Sequence, residues 1–355
     1  MDRAPLIDWE SDESHVLLNP RMPAEERRVL ESYSTELPGH LWLATSGTTG
    51  ALKLTALSKR AMLASAAAVN RHLASDANDV WSCVLPTFHV GGLGILARAH
   101  LSGARVIVSA WDAKEFAAAE EVTLASLVPA QVADLVAARL RPPRQLRAIV
   151  VGGAALPQPV YEDAQSLGWP VLPSYGMTET CSQVATAVPG SPSLLLLDHV
   201  QARVESDGRL GFAGESLLTG YGTAEGFIDP KVAGWLTTDD LGEVQGRALR
   251  VAGRRGEFVK IGGESVDLAR LDAILATIAA DAAAVIAVPD KRLGHVIHLA
   301  VTVGSDAGAI EEAFRAKVHP FERPRQVHVV PTIPRSALGK LMRAALLEQL
   351  PISME

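Results

Sequence analysis

Cysteine is nearly absent: Cys83 and Cys181 are the only thiols in 355 residues. Two thiols build neither a disulfide framework nor a cysteine-based zinc site, so both are expected buried and reduced, in an intracellular setting. An excess of basic residues is missing too. Lys and Arg number 33 against 40 Asp and Glu, a formal net charge of −7. That removes a general basic face for nucleic acid but leaves room for a locally positive pocket. Long hydrophobic runs are lacking, because Gly, His, Arg or Asp breaks each apolar stretch well short of the roughly 20 residues that span a bilayer. The opening MDRAPLIDWESDESH is acidic and has no apolar core of the kind that directs secretion. Internal repeats and low-complexity tracts are absent. With 48% apolar and 21% charged residues, the composition is ordinary for globular proteins. The expectation is a soluble cytoplasmic protein of two or three domains, with no nucleic-acid or membrane partner. Homo-oligomer formation stays open.

What is present is an alternation. From Leu41, short apolar runs at 41–45, 80–85, 105–109, 124–128, 146–151 and 171–172 read as strands. Amphipathic stretches at 58–73, 91–101, 113–120, 130–140 and 157–167 read as helices between them. β-Branched runs separated by helices predict a parallel sheet covered on both faces. After about residue 193 the texture changes to short strands and turns, expected to form a small β subdomain over about 195–252. After Gly253 a third texture, strands mixed with helices, predicts a compact α+β unit over 254–355. The fold class is therefore α/β, with a large domain over 1–253 and a smaller, mobile one behind it.

Five segments carry chemistry. The first, TSGTTGALK, spans Thr45 to Lys53. Gly47 and Gly50 let backbone N–H groups approach a ligand, Thr45, Ser46, Thr48 and Thr49 add hydroxyls, and Lys53 adds a cation: a set suited to a polyphosphate. It is not a Walker A loop, whose spacing differs. The second, SYGMTET from Ser174, sits at a strand end, where open α/β sheets bind ligands. There Tyr175 can stack on a base, Gly176 permits a tight turn, Thr178 can donate to phosphate and Glu179 can hold Mg²⁺. The third, GWLTTDDLG, places Asp240 in a turn, for ribose or as a plain Asx turn. The fourth, GRRGEFVKIGGE, begins at Gly253, and the fifth, PRSALGKLMR, carries Lys340.

In this order and spacing the segments resemble the core motifs of the adenylate-forming family of acyl- and aryl-CoA ligases, nonribosomal adenylation domains and luciferases, from about Leu41 to Arg343. The resemblance implies ATP, Mg²⁺ and coenzyme A as substrates and activator, with no tightly bound prosthetic group. It implies that the Thr45–Lys53 loop handles the pyrophosphate end of ATP. By the same likeness Gly152, Gly153 and Ala154 line the adenine, while Ser174, Tyr175, Gly176, Met177 and Thr178 hold adenine and α-phosphate. Glu179 is the metal ligand, and Asp240 and Arg254 contact the ribose. Lys340 bridges carboxylate and α-phosphate, with Thr178 and His89 beside the chemistry. The segment 254–257 matches the hinge of the C-terminal domain, and Gly262 and Gly263 match the loop turned toward coenzyme A.

The acid is suggested by LPTFHVGGLGILAR, from Leu85 to Arg98. His89, Gly91 and Gly92 match the family's acyl pocket. Arg98 stands on an otherwise apolar helix, where it either snorkels to solvent or meets a second carboxylate on the substrate. This stretch, with Ala125–Gln131 and Ala148–Pro157, looks most like the o-succinylbenzoate–CoA ligase subgroup of menaquinone synthesis, whose substrate is a dicarboxylate. Another acyl- or aryl-CoA ligase, a carrier-protein-loading adenylation enzyme and a non-catalytic nucleotide-binding protein are the alternatives. The motifs depart from the family's pattern in three places: Leu52 and Leu54 flank Lys53 where Pro and Gly are usual, Asp239 replaces a Gly before Asp240, and Gly256–Glu257 stands where paired Asp is common. The family's usual chain is longer by some 150 residues at the N-terminus, so a shortened first subdomain is expected here.

Overall fold

The computed structural model describes residues 7–20, 22, 24–34, 36–46, 52–254, 258–261, 264–290, 293–336, 339 and 341–350. The side chains of Ser46, Leu52, Arg254, Phe258, Lys260, Glu264 and Ser265 lie outside that description. The chain divides into two compact units. One comprises 1–238 with 242–250, the other 239–241 with 251–355.

The largest sheet among the described residues has eleven strands. In spatial order they are Val200–Val204, Arg209–Gly214, Leu236–Gln245, Ala248–Arg254, Leu194–Leu196, Ser182–Thr186, Val171–Met177, Ala148–Val151, Leu124–Leu127, Val80–Cys83 and Arg105–Val108. The last five run parallel, as the alternation of strands and helices predicts. Val171–Met177 is where the pattern changes: it pairs parallel with Ala148–Val151 and antiparallel with Ser182–Thr186. Period-2 side chains explain why both faces are covered. Ile149 and Val151 enter one core with Phe116, Leu135 and Tyr161. Ala148 and Val150 enter the opposite one with Val69, Trp81 and Ile95.

Two features differ from the sequence-based expectation. The strands after residue 193 do not close on themselves as a separate β subdomain. Most extend the central sheet, and Gly220–Thr223 joins another sheet altogether. The loop that follows Leu41–Thr45 is not a connection from a parallel strand to a helix. His40–Ser46 pairs antiparallel with Leu52–Ser58, a strand the reading by apolar runs overlooked, in the register Thr45↔Lys53. The reason is alternation: Leu54 and Ala56 bury against Trp42 and Leu30, while Lys53 and Thr55 face the other way. His15–Leu17, His40–Ser46, Leu52–Ser58, Gly220–Thr223 and Gly226–Ile228 form this second, five-stranded sheet.

The second unit is built on a sheet of Glu264–Asp267, Phe258–Ile261, Gly294–Thr302, Ala283–Asp290 and Gln326–Val330. The helices Leu268–Ala279 and Ala307–Arg315 cover one face through Leu271, Leu275 and Phe314. Leu346 and Leu350 of the C-terminal segment cover the other. No helix among the described residues is long and apolar enough to cross a membrane.

Candidate active site

The segment 174–180 is shaped by backbone necessity. Val171–Met177 bulges between Tyr175 and Gly176 as it pairs with Ser182–Thr186. A Cβ on Gly176 would stand 1.9 Å from the Ser182 carbonyl oxygen, so only glycine fits there. The turn that follows, Thr178–Thr180, is closed by the Thr180 hydroxyl, which donates to the Ser182 carbonyl at 2.9 Å and accepts from the Met177 N–H at 3.1 Å. Cys181 and Ser182 then both take positive φ, 55° and 114°, a costly pair for non-glycine residues. Ser174 donates to the Val151 carbonyl at 2.9 Å. That bond draws the motif against Gly152, Gly153 and Ala154, which follow directly on the strand Ala148–Val151. Tyr175 lies 6.0 Å from the Phe212 ring, centroid to centroid.

Glu179 projects from this turn toward the five-stranded sheet. Its Oε1 accepts from the Tyr221 hydroxyl at 2.9 Å and lies 4.0 Å from Lys53 Nζ. The same ammonium sits 3.3 Å from the centroid of the Tyr221 ring. Thr45 and Thr55 share a hydrogen bond of 3.0 Å between their hydroxyls on that face. The first unit therefore brings together Thr45, Lys53 and Glu179, and adds Tyr221, which sequence reasoning missed. Its only advance signal is a tyrosine between two glycines in SLLTGYG.

The residues that the sequence assigns to an acid pocket lie on and before the helix Val90–Ser102. His89 is its N-cap residue in extended conformation. The His89 ring rests on Phe88, 4.7 Å between centroids, its Nε2 is shut from solvent without a hydrogen-bond partner among the described residues, and burial holds its pKa below the ordinary imidazole value. Gly92 has no room for a Cβ, which would come within 2.4 Å of the Pro86 carbonyl oxygen. Gly91 is bounded by Leu85.

Arg98 does not snorkel. It is 2% exposed and reaches back along its helix, over the place where a Cβ on Gly94 would come within 3.1 Å of its Nη2. Its Nη2 donates to Ser182 Oγ at 2.9 Å and to Gln183 Oε1 at 2.6 Å. Its Nη1 donates to Ser126 Oγ at 3.2 Å, and Nε has no hydrogen-bond partner among the described residues. Desolvation pushes its pKa down to about 10. Among the described residues no carboxylate bonds to this guanidinium. Gly94, Ser126, Ser182 and Gln183 were not singled out from the sequence, since a small or neutral side chain carries no signature until a buried charge turns toward it.

Several sequence candidates fall elsewhere. Asp240, half-buried, does not sit in a turn: it lies within the strand Leu236–Gln245, in the stretch 239–241 that goes with the second unit. Arg254 ends the strand Ala248–Arg254, with its side chain outside the description. Gly47, Thr48, Thr49, Gly50, Gly262, Gly263 and Lys340 lie outside the described residues, and Ser46 is described for its backbone alone. The second unit also holds a cavity of about 560 Å³ walled by Phe321, Arg315, Arg323 and Arg325.

Comparison with known proteins adds independent evidence. The profile of the AMP-binding enzyme family matches residues 41–227. That of the AMP-binding enzyme C-terminal domain matches 272–340. The chain is 30% identical over 345 residues to the 2-succinylbenzoate–CoA ligase of Bacillus subtilis (strain 168), covering 90% of this chain and 71% of that protein. It is 33% identical over 332 residues to a probable 2-succinylbenzoate–CoA ligase of Mycobacterium tuberculosis (strain ATCC 25618 / H37Rv), covering 87% and 84%. Among solved structures, the o-succinylbenzoate CoA synthetase of Bacillus subtilis in complex with the acyl-adenylate intermediate superposes with a TM-score of 0.78 at 29% identity, over 86% of this chain and 68% of the other. The same enzyme with ATP and magnesium ion gives 0.77, over 86% and 69%. With a profile match over more than half its length and relatives of this extent, the chain belongs to the AMP-binding enzyme family.

Proposed function

We propose that the protein converts o-succinylbenzoate, ATP and coenzyme A to o-succinylbenzoyl-CoA, AMP and diphosphate through an acyl-adenylate, as a step of menaquinone biosynthesis. The observation that carries the choice of acid is Arg98. A buried cation with only neutral partners is a costly element of a core, and it becomes favourable when a carboxylate arrives. Ser126 and Ser182 flank the guanidinium and supply hydroxyls to the same anion. A substrate with two carboxylates places one here and presents the other for activation.

The first half-reaction brings two anions together. A carboxylate oxygen bonds to the α-phosphorus as the bond to the β-phosphate oxygen breaks and diphosphate leaves. Lys53 is the described cation suited to the departing diphosphate, and the resemblance gives Lys340 the α-phosphate. Glu179 fits magnesium through a hard oxygen. When bound, Mg²⁺ offsets phosphate charge. His89, neutral and shielded, can accept or donate a hydrogen bond at the acid without bringing a charge of its own. In the second half-reaction the thiol sulfur of coenzyme A bonds to the acyl carbon, AMP leaves, and the thiol proton passes to solvent. The arginine-walled cavity of the second unit suits the polyanionic end of coenzyme A.

The test is a coupled assay with ATP, Mg²⁺ and coenzyme A, offering o-succinylbenzoate beside benzoate, a fatty acid and a cinnamate. AMP and thioester should form with the dicarboxylate alone. Preferential turnover of a monocarboxylate would overturn the acid while keeping the reaction, and no AMP with any acid would overturn the reaction.

A further inference from the structure

The contact of Lys53, Tyr221 and Glu179 has two parts that separate chemically. The Tyr221 ring carries the ammonium on its face at 3.3 Å, a cation–π seat. The Tyr221 hydroxyl donates to Glu179 Oε1 at 2.9 Å. One side chain thus touches the cation suited to the departing diphosphate and the carboxylate suited to the metal, which stand 4.0 Å apart.

Tyr221 is itself unusually constrained. It pairs with Thr55 across the sheet, two residues along from Lys53 on the same face, within diagonal reach of a long side chain. Both its neighbours must be glycine. A Cβ on Gly220 would meet the Phe227 ring at 2.4 Å, and one on Gly222 the Tyr33 carbonyl oxygen at 2.0 Å. The preceding residues are tied down as well. Leu218 N–H donates to the Glu179 carbonyl at 2.8 Å and Thr219 N–H to the Ala56 carbonyl at 2.8 Å. The Lys231 ammonium donates to the Leu218 and Thr219 carbonyls at 2.7 and 3.0 Å. His40 Nε2 shares a 2.8 Å hydrogen bond with the Thr219 hydroxyl. Half-exposed tyrosines on strands do not need such anchoring for packing alone.

We propose that Tyr221 is a positioning residue that presets Lys53 and Glu179 as one unit: its ring seats the ammonium and its hydroxyl aims the carboxylate, so that ATP and its metal meet groups already in place. The proposal rests on the reading of this site as an ATP site. Preorganisation of this kind acts by removing the need to order two long side chains when the ligand arrives.

Two variants divide the two parts, and binding rather than turnover reads them. Tyr221→Phe keeps the ring and removes the hydroxyl. ATP affinity measured calorimetrically without Mg²⁺ should stay within about 2-fold of wild type, since the seat of Lys53 is intact. The Mg²⁺ concentration needed to reach half of the full gain in ATP affinity should rise about 10-fold, the effect of losing one hydrogen bond to a charged group. Tyr221→Leu should show that rise and also weaken metal-free ATP binding by about 5-fold or more. Unfolding midpoints without ligand separate these effects from misfolding, and if the Leu variant does not fold, the near-isosteric Phe variant decides alone. A wild-type magnesium titration in Tyr221→Phe overturns the role of the hydroxyl. Wild-type metal-free ATP binding in Tyr221→Leu overturns the role of the ring. Failure of the wild-type protein to bind ATP in either condition overturns the underlying reading of the site, a result distinct from silent variants on a protein that binds.

Discussion

Arg98 in the first unit and Glu322 in the second are both buried charges, and the two are treated in opposite ways. In the second unit Glu322 is 2% exposed. It is bonded by the Arg270 guanidinium, and its other oxygen accepts from the His319 N–H at 3.0 Å. The charge is neutralised and its lone pairs are used, which is what a structural buried ion requires. In the first unit Arg98 is equally buried but meets two hydroxyls and an amide. Its Ser182 partner is held at a strained φ, and Gly94 is kept clear beside it. Glu322 completes a fold, whereas Arg98, on the function proposed above, has its charge answered by the substrate.

That contrast can be broken by substitution. The largest effect is expected for Arg98→Met: kcat/KM for o-succinylbenzoate should fall about 1,000-fold and for a monocarboxylate no more than about 10-fold, because a site built to bond a group discriminates strongly when it can no longer do so. The unfolding midpoint should not fall, since an uncompensated buried charge is removed. A substantial drop in the midpoint would make Arg98 structural, like Glu322. Next comes Arg270→Met, which strands the Glu322 carboxylate and should cost the second unit about 3–5 kcal/mol in urea unfolding. A loss under 1 kcal/mol would show that pairing of the buried Glu322 carboxylate is dispensable. Ser182→Gly sharpens the comparison in both directions. It relieves the backbone at φ 114° and should raise stability by about 1 kcal/mol while weakening the dicarboxylate by about 10-fold through the lost hydroxyl.

The smallest effect concerns protons. His298 and His328 are buried side by side in the second unit, Nδ1 to Nε2 at 2.9 Å. Burial holds both below the ordinary imidazole pKa, with the His328 charge adding to the effect on His298. As pH falls the unfolded chain takes up protons first, near pH 6.5. The stability linked to the pair is complete above about pH 6.5 and is lost as pH drops through the folded values. Burial brings His199 in the first unit to about 4, so its loss extends further down. His298→Gln should flatten the dependence of the urea midpoint between pH 6.5 and 5, and an unchanged slope would assign the acid sensitivity elsewhere.

Much of this was readable in the amino-acid order. Parallel strands and covering helices announce themselves by apolar periodicity, and Lys53, Glu179, His89 and Arg98 by charge or imidazole in glycine-rich or apolar surroundings. What stayed hidden depends on partners distant in sequence. The strand Leu52–Ser58 is recognisable only once Leu54 and Ala56 have a core to enter. Tyr221 meets Glu179 from 42 residues away in the chain, and Ser126 and Ser182 are ordinary serines until Arg98 reaches them. The extension of the central sheet past residue 193 was obscured for a similar reason: short antiparallel strands carry the same pattern whether they form their own sheet or lengthen another.

The change of direction at Val171–Met177 has a kinetic consequence. Its antiparallel neighbour, Ser182–Thr186, is reached through one tight turn, whereas its parallel neighbour Ala148–Val151 is separated by a whole helix. Local pairings close sooner than crossovers. The turn that aims Glu179 should therefore assemble before the sheet around it, and pulse-labelled exchange during refolding should protect the amides of 174–186 ahead of those of 80–83 and 124–127. On that order the segment 174–186 serves as an early template for the strands it is later embedded in.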